Sequence, residues 1–138
     1  MLIQEAINLN LHLHIMDPDQ NAPCATLAHS FTCNDITDFD AVLEFGKDKN
    51  LITVEIENVN IEALEILEQQ GVVVYPQPHV LKIIKDKGIQ KEFYNKNKIP
   101  TSTFSSYSNK ADLINAKLDF PVMQKLRTGG YDGKGVQM

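Results

Sequence analysis

The sequence predicts an α/β fold: strands of a parallel sheet alternating with helices over the first hundred residues, then the start of a second unit. Three observations predict it. Apolar strand-like runs and amphipathic stretches alternate between residues 9 and 75, the order of a doubly wound parallel sheet. A polar stretch, TSTFSSYSN at 101–109, follows Ile99-Pro100 and reads as a linker. A helix and a strand then lead into RTGGYDGKGVQM at 127–138, which holds four of the seven glycines in the chain.

Each element has a local reason. Leu2, Ile3, Ala6 and Ile7 have helical spacing, so 2–8 reads as the tail of a helix. LNLHLHIMD at 9–17 alternates, with Leu9, Leu11, Leu13 and Ile15 on one side and Asn10, His12 and His14 on the other, the period of a strand. DPDQNAP is a turn cluster. PCATLAHS reads as a short helix and FTC as a short strand. DITDFDAVLEFGKDK is amphipathic, with Ala41, Val42 and Phe45 inward, acids first and lysines last, which suits the helix dipole. LITVEI is a buried strand. Asn60 caps IEALEILEQQ, with Ile61, Leu64 and Leu67 on one face and Gly71 at its end. VVVYP is a strand ended by Pro76. VLKIIKDK, IQKEFYNKN and KADLINAKL are helical, and PVMQKL is a strand.

The totals exclude several classes. At 138 residues, 43% hydrophobic and 22% charged, the chain has an ordinary globular composition. Its formal charge of −5 argues against a nucleic-acid or anionic-membrane partner, which calls for a basic field. No apolar run reaches the roughly 18–20 residues of a membrane helix, and MLIQEAINLN has no basic leader region. Cys24 and Cys33 lack CxxC spacing and read as reduced thiols of a cytoplasmic protein.

The glycine-rich stretch carries the chemistry. Glycines let backbone approach a ligand closely, and a loop after a strand presents N–H groups to an anion. Lys125 and Lys134 flank it as cations. It is not a Walker A loop, nor a GxGxxG opening a helix, because GVQM reads as a returning strand. By composition it is equally a phosphate clamp or a plain glycine-rich hairpin.

GGYDGKG after the lysine-bearing PVMQK resembles the ATP-grasp enzymes, and within them the 5-(carboxyamino)imidazole ribonucleotide synthetase family. Other segments agree in order: MDPDQNAPCATLAH with the family's LDPxxxxPAxxxAD, VEIENV with its YEFENV, and YPQPHVLKIIKDKGIQKEFYNKNKIPTSTF with its strand, helix pair and IPTAPF. The resemblance implies a Rossmann-like pre-ATP-grasp domain over 1–100 and the beginning of an ATP-grasp domain over 101–138, truncated at both ends. Set against the family, Met1 falls at the end of a GGGQLGRM-like turn, so the first strand and its turn are expected to be missing. The strands with the magnesium-binding acids are expected downstream, so no metal ligand is assigned here. The chain has Lys87 where the family has arginine, which keeps the charge and loses the bidentate fork.

The resemblance also implies roles. The family uses ATP to make carboxyphosphate from bicarbonate, which carboxylates the amine of aminoimidazole ribonucleotide in purine synthesis. Carboxyphosphate hydrolyses readily, so the loop is expected to exclude water. ATP contacts are implied for Lys87, Lys125, Gly130, Tyr131, Asp132, Gly133, Lys134 and Gly135. Ribonucleotide contacts are implied for Tyr131, Asp132, Lys134 and Glu57, the last at the end of the LITVEI strand, where open α/β sheets bind ligands. Asp132 and Lys134 are the implied catalytic residues. ATP and Mg2+ are the implied cofactors, and a homodimer is implied for the full-length family. The 138 residues alone are expected to lack ligase activity.

Blander readings compete at each position. Lys87 can be a solvated helix-end lysine, Glu55 and Glu57 solvated strand-end acids, Tyr131 a packing residue and Asp132 a turn former. His12 and His14 form an HxH pair without an evident third ligand, so they read as a polar sheet face. His29 and His79 carry no pattern. Asp17 and Asp19 read as turn residues. Two other functions remain: another ATP-grasp ligase, such as the purine-pathway formate-dependent formyltransferase, or a non-catalytic nucleotide-binding chain.

Overall fold

The computed structural model describes residues 2–130 and 135–138. They form two compact units, 1–78 and 79–138.

The first unit opens with helix α1 (Leu2–Asn8), of which only Ala6 is buried. Strand β1 (His14–Asp17) pairs in parallel with β2 (Ser30–Cys33), Ile15 opposite Phe31. The alternating run predicted as a strand over 9–17 is thus a strand only over its second half. Leu9 and Leu11 stand outside it, 69% and 53% exposed. A strand extends only as far as a partner matches it, and β2 has four residues. PCATLAHS, expected as a helix, is instead turns and bends that run into β2 at Ser30. Cys24 and Cys33 are unbridged.

Helix α2 (Phe39–Gly46) starts where Asp38 accepts a hydrogen bond from the Ala41 amide at 2.7 Å. β3 (Leu51–Thr53) pairs in parallel with β4 (Val73–Tyr75), Ile52 opposite Val74, and α3 (Ile61–Gln69) makes the crossover between them. This is the predicted βαβ unit. β3 is shorter than LITVEI because β4 has only three residues before Pro76, which has no N–H to donate. Glu57 therefore sits in a bend beyond the strand, half-buried.

α3 carries the centre of the core. Ala63, Leu64 and Leu67 are at most 1% exposed, and Ile61 is also buried. Its cap is Asn60, whose side-chain oxygen accepts from the Ala63 amide at 2.9 Å. The Asn60 amide group also donates to the Thr37 carbonyl at 3.0 Å, joining the approaches to α2 and α3. α2 lies against α3 at Gly46, where a β-carbon would meet Leu67 Cδ1 and stand 2.7 Å from Ile52 Cδ1. The strands form two separate parallel pairs, β1–β2 and β3–β4, rather than one continuous ladder.

α4 (Pro78–Lys85) begins on the last residue of the first unit. The second unit continues through α5 (Lys87–Lys96), α6 (Lys110–Asn115), β5 (Gln124–Lys125) and β6 (Val136–Gln137). β5 and β6 pair antiparallel, Lys125 opposite Val136, so the returning strand expected after the glycines is present. Residues 101–107 have no regular structure. Lys91 holds them: its ammonium donates to Ser102 Oγ at 2.8 Å and lies 5.9 Å from the Phe104 ring centre.

Candidate functional site

The sequence placed VLKIIKDK in one helix, with Lys87 at its end. The structure breaks that run at Asp86. Its carboxylate Oδ1 accepts from the amides of Gly88 at 2.7 Å and Ile89 at 3.1 Å, so Asp86 caps a new helix. Lys87 is the first residue of α5 rather than the last of α4.

That position brings Lys87 to the stem of the glycine loop. Its amide donates to the Arg127 carbonyl at 2.9 Å, and its ammonium donates to the Gly130 carbonyl at 3.0 Å. Arg127 turns back onto the cap residue, Nε donating to Asp86 Oδ1 and Nη2 to Oδ2, each at 2.9 Å. Such parallel bonds between a guanidinium and a carboxylate are the strong form of an ion pair. Burial pushes the Asp86 carboxyl up. The hydrogen bond from Arg127, the amides of Ile89 and Gly88 and the Arg127 charge outweigh it and hold the carboxyl below its ordinary range. The hydrogen bond it donates to Asp86, then the Asp86 charge, raises Arg127 in turn.

Gly88 makes room for this arrangement. A β-carbon there would lie 2.7 Å from Arg127 Nε and 2.8 Å from Cζ. At the far side of the hairpin, Leu126 donates its amide to the Gly135 carbonyl at 2.9 Å. Lys125, one residue earlier on β5, is exposed.

Of the sequence-predicted residues, Lys87 and Gly130 are in contact, and Lys125 and Gly135 flank the same hairpin. Tyr131, Asp132, Gly133 and Lys134 lie outside the described residues. Glu57 belongs to the first unit. Asp86 was read only as part of a helix, and Arg127 was given no role. An aspartate ahead of a helical run is a cap signal, but its pairing with Arg127 lies 41 residues away and has no local signature.

The remaining candidates resolve simply. Asp17 accepts from the Asp19 amide at 2.8 Å and Asp19 from the Asn21 amide at 2.9 Å, the successive turns expected of them. His12 stacks on His29, and His14 Nδ1 is 2.6 Å from Ser30 Oγ. Among the described residues no three His, Cys, Asp or Glu side chains stand where they could share a metal ion. Asp86 Oδ1 accepts three of its donors and Oδ2 one, so the carboxylate is engaged by the helix cap and the Arg127 fork. These residues therefore do not fit a magnesium ion. A cleft of about 310 Å³ opens in the first unit beside Thr32, Asn34, Phe45 and Lys49, and no predicted site residue lines it. Among the described residues no helix is long and apolar enough to cross a membrane.

Residues 1–85 match the family model of the ribonucleotide synthetase preATP-grasp domain. The chain belongs to that family. Among curated preATP-grasp relatives, N5-carboxyaminoimidazole ribonucleotide synthase of Synechocystis sp. is 33% identical over 139 residues, covering 100% of this chain and 35% of its own length. The N5-carboxyaminoimidazole synthetase of Staphylococcus aureus, solved with ADP, superposes with a TM-score of 0.89 at 28% identity, covering 99% of this chain and 37% of that one. The Aspergillus clavatus synthase, solved with ADP and 5-aminoimidazole ribonucleotide, has a TM-score of 0.82 at 26% identity, covering 99% of this chain and 36% of that one. This preATP-grasp chain thus spans about a third of the length of these relatives.

Proposed function

We propose that this chain forms the N-terminal part of an ATP-dependent carboxylating ligase that converts 5-aminoimidazole ribonucleotide and bicarbonate to the 5-(carboxyamino) product in purine synthesis. The observation that carries the reading is the meeting of Lys87 with the stem of GGYDGKG, through the Arg127 and Gly130 carbonyls. In addition, relatives of the same fold were solved with ADP and with the ribonucleotide.

In this reading Lys87 and Lys125 neutralise the nucleotide phosphates from two sides of the hairpin stem. Backbone N–H groups around Gly130 and Gly135 add donors for an anion. Tyr131, Asp132, Gly133 and Lys134 complete the ATP contacts. Asp132 accepts from the substrate amine, and Lys134 stabilises negative charge as carboxyphosphate forms and reacts. Tyr131 borders the ribonucleotide, and Glu57 is proposed as a further ribonucleotide contact. Water exclusion by the loop protects carboxyphosphate from hydrolysis. Magnesium is proposed to bind outside these residues, the protein to act in the cytoplasm and the intact ligase to be a homodimer. The nucleotide-binding domain is proposed to start after Pro100. Without further chain, the 138 residues are proposed to lack ligase activity.

The test is ADP release from ATP with bicarbonate by the intact gene product, with and without 5-aminoimidazole ribonucleotide. The reading expects release to depend on the ribonucleotide and to collapse in Asp132→Ala. Release that ignores the ribonucleotide and responds to another amine or acid would remove the substrate assignment and keep the ATP chemistry.

A further inference from the structure

We infer that Asp86 and Arg127 are positioning residues that hold Lys87 against the stem of the glycine loop, with Gly88 kept bare to admit the clamp. The inference deepens the nucleotide reading above and rests on it for its connection to phosphate.

Three links converge on one residue. Asp86 fixes the first turn of α5 through the amides of Gly88 and Ile89. The same carboxylate holds the Arg127 fork by two bonds. Arg127 returns its carbonyl to the Lys87 amide. The backbone on both sides of Lys87 is therefore tied to position 127, and its ammonium rests on Gly130, three residues further along. Lys125 precedes Arg127 by two residues on the same stem. A long lysine side chain is a flexible point charge, so its reach toward a phosphate depends on where its backbone is held. The clamp supplies that placement. Its anion is already matched by Arg127, so the charge left over at the stem belongs to the lysines.

Gly88 separates this role from a merely structural one. Alanine favours helix over glycine, so Gly88→Ala strengthens α5 in isolation. Its methyl would also enter the space of Arg127 Nε and Cζ. The inference expects a variant that keeps α5 helical while its Lys87 contacts loosen.

The experiment compares wild type, Gly88→Ala, Arg127→Gln and Arg127→Lys by amide hydrogen exchange and by ATP titration followed calorimetrically, with Lys87→Ala as reference. The expected result is Lys87 amide exchange about tenfold faster in Gly88→Ala and Arg127→Gln, with α3 amides unchanged. ATP binding should weaken about tenfold in both, the effect of one lost charge-assisted hydrogen bond. Arg127→Lys should fall between, keeping charge without the fork. Unchanged Lys87 exchange in both variants overturns the clamp. ATP affinity that falls in Lys87→Ala but holds in Arg127→Gln and Gly88→Ala overturns its positioning role. An intact wild-type gene product that does not bind ATP, or a Lys87→Ala variant of it that binds ATP equally well, overturns the nucleotide reading and the phosphate connection with it. The exchange comparison then still decides whether Asp86 and Arg127 hold Lys87.

Discussion

Arg127 reaches across 41 residues of sequence to Asp86 and meets both carboxylate oxygens at 2.9 Å. The carboxyl is held below its ordinary range, so the folded state binds its proton less readily than the unfolded chain. The contribution is complete above the unfolded value of about 3.9 and is lost as pH falls through the lower folded value. Wild type should therefore melt above Arg127→Gln at neutral pH. The gap should close as pH falls below about 4. Melting midpoints of the two proteins from pH 7 to pH 2.5 check this, and a gap that persists at the acid end contradicts it.

Asn60 performs two tasks with one amide, capping α3 through its oxygen and binding the Thr37 carbonyl through its nitrogen. Asn60→Ala should destabilise the chain by about 1–2 kcal/mol, a cap plus a second hydrogen bond. Asn60→Asp keeps the cap and loses the donor, so it should lie nearer wild type. Urea unfolding of the three proteins gives the order.

Leu67 and Gly46 share one space. Leu67→Ala removes a fully buried side chain and should cost about 2–5 kcal/mol. Gly46→Ala presses a methyl into Leu67 and Ile52 and should cost about 1–3 kcal/mol. The double variant should be less destabilised than the sum, because the truncation at position 67 vacates part of the volume that the new methyl at position 46 enters. Strict additivity in denaturant unfolding would show that the two sites do not share the space.

Lys87 presents one charge where a fork could present two parallel donors. Lys87→Arg should tighten ATP binding several-fold if this residue meets phosphate, since a guanidinium matches phosphate oxygens bidentately. An affinity unchanged by this substitution and by Lys87→Ala would place the nucleotide elsewhere.

Helix α3 was legible because its signals are local. The Asn60 cap and the Ile61, Leu64 and Leu67 stripe lie within one stretch of chain, and all three apolar residues are buried. The strands were legible in kind and not in length. LNLHLHIMD alternates from Leu9 to Ile15, but ladder bonds need a partner, and the length of β2 stops β1 at four. The split of VLKIIKDK at Asp86 was hidden because apolar periodicity runs past it, whereas the cap depends on how one side chain turns. The Asp86–Arg127 pair joins two distant segments, and nothing near either residue announces the other. The family resemblance located the glycine loop and Lys87; the bonds that hold them together came from the structure.

Gly88 also decides the order in which substitutions can accumulate over generations. While Arg127 lies across it, any side chain at position 88 must displace a guanidinium, so that change disturbs the clamp when it comes first. Once Arg127 has drifted to a smaller residue, position 88 opens and alanine becomes an improvement to the helix. Arginine then cannot return without meeting the new methyl. A missing side chain thus works as a ratchet: lineages that keep Gly88 retain the route back to the clamp, and those that fill it have left it behind.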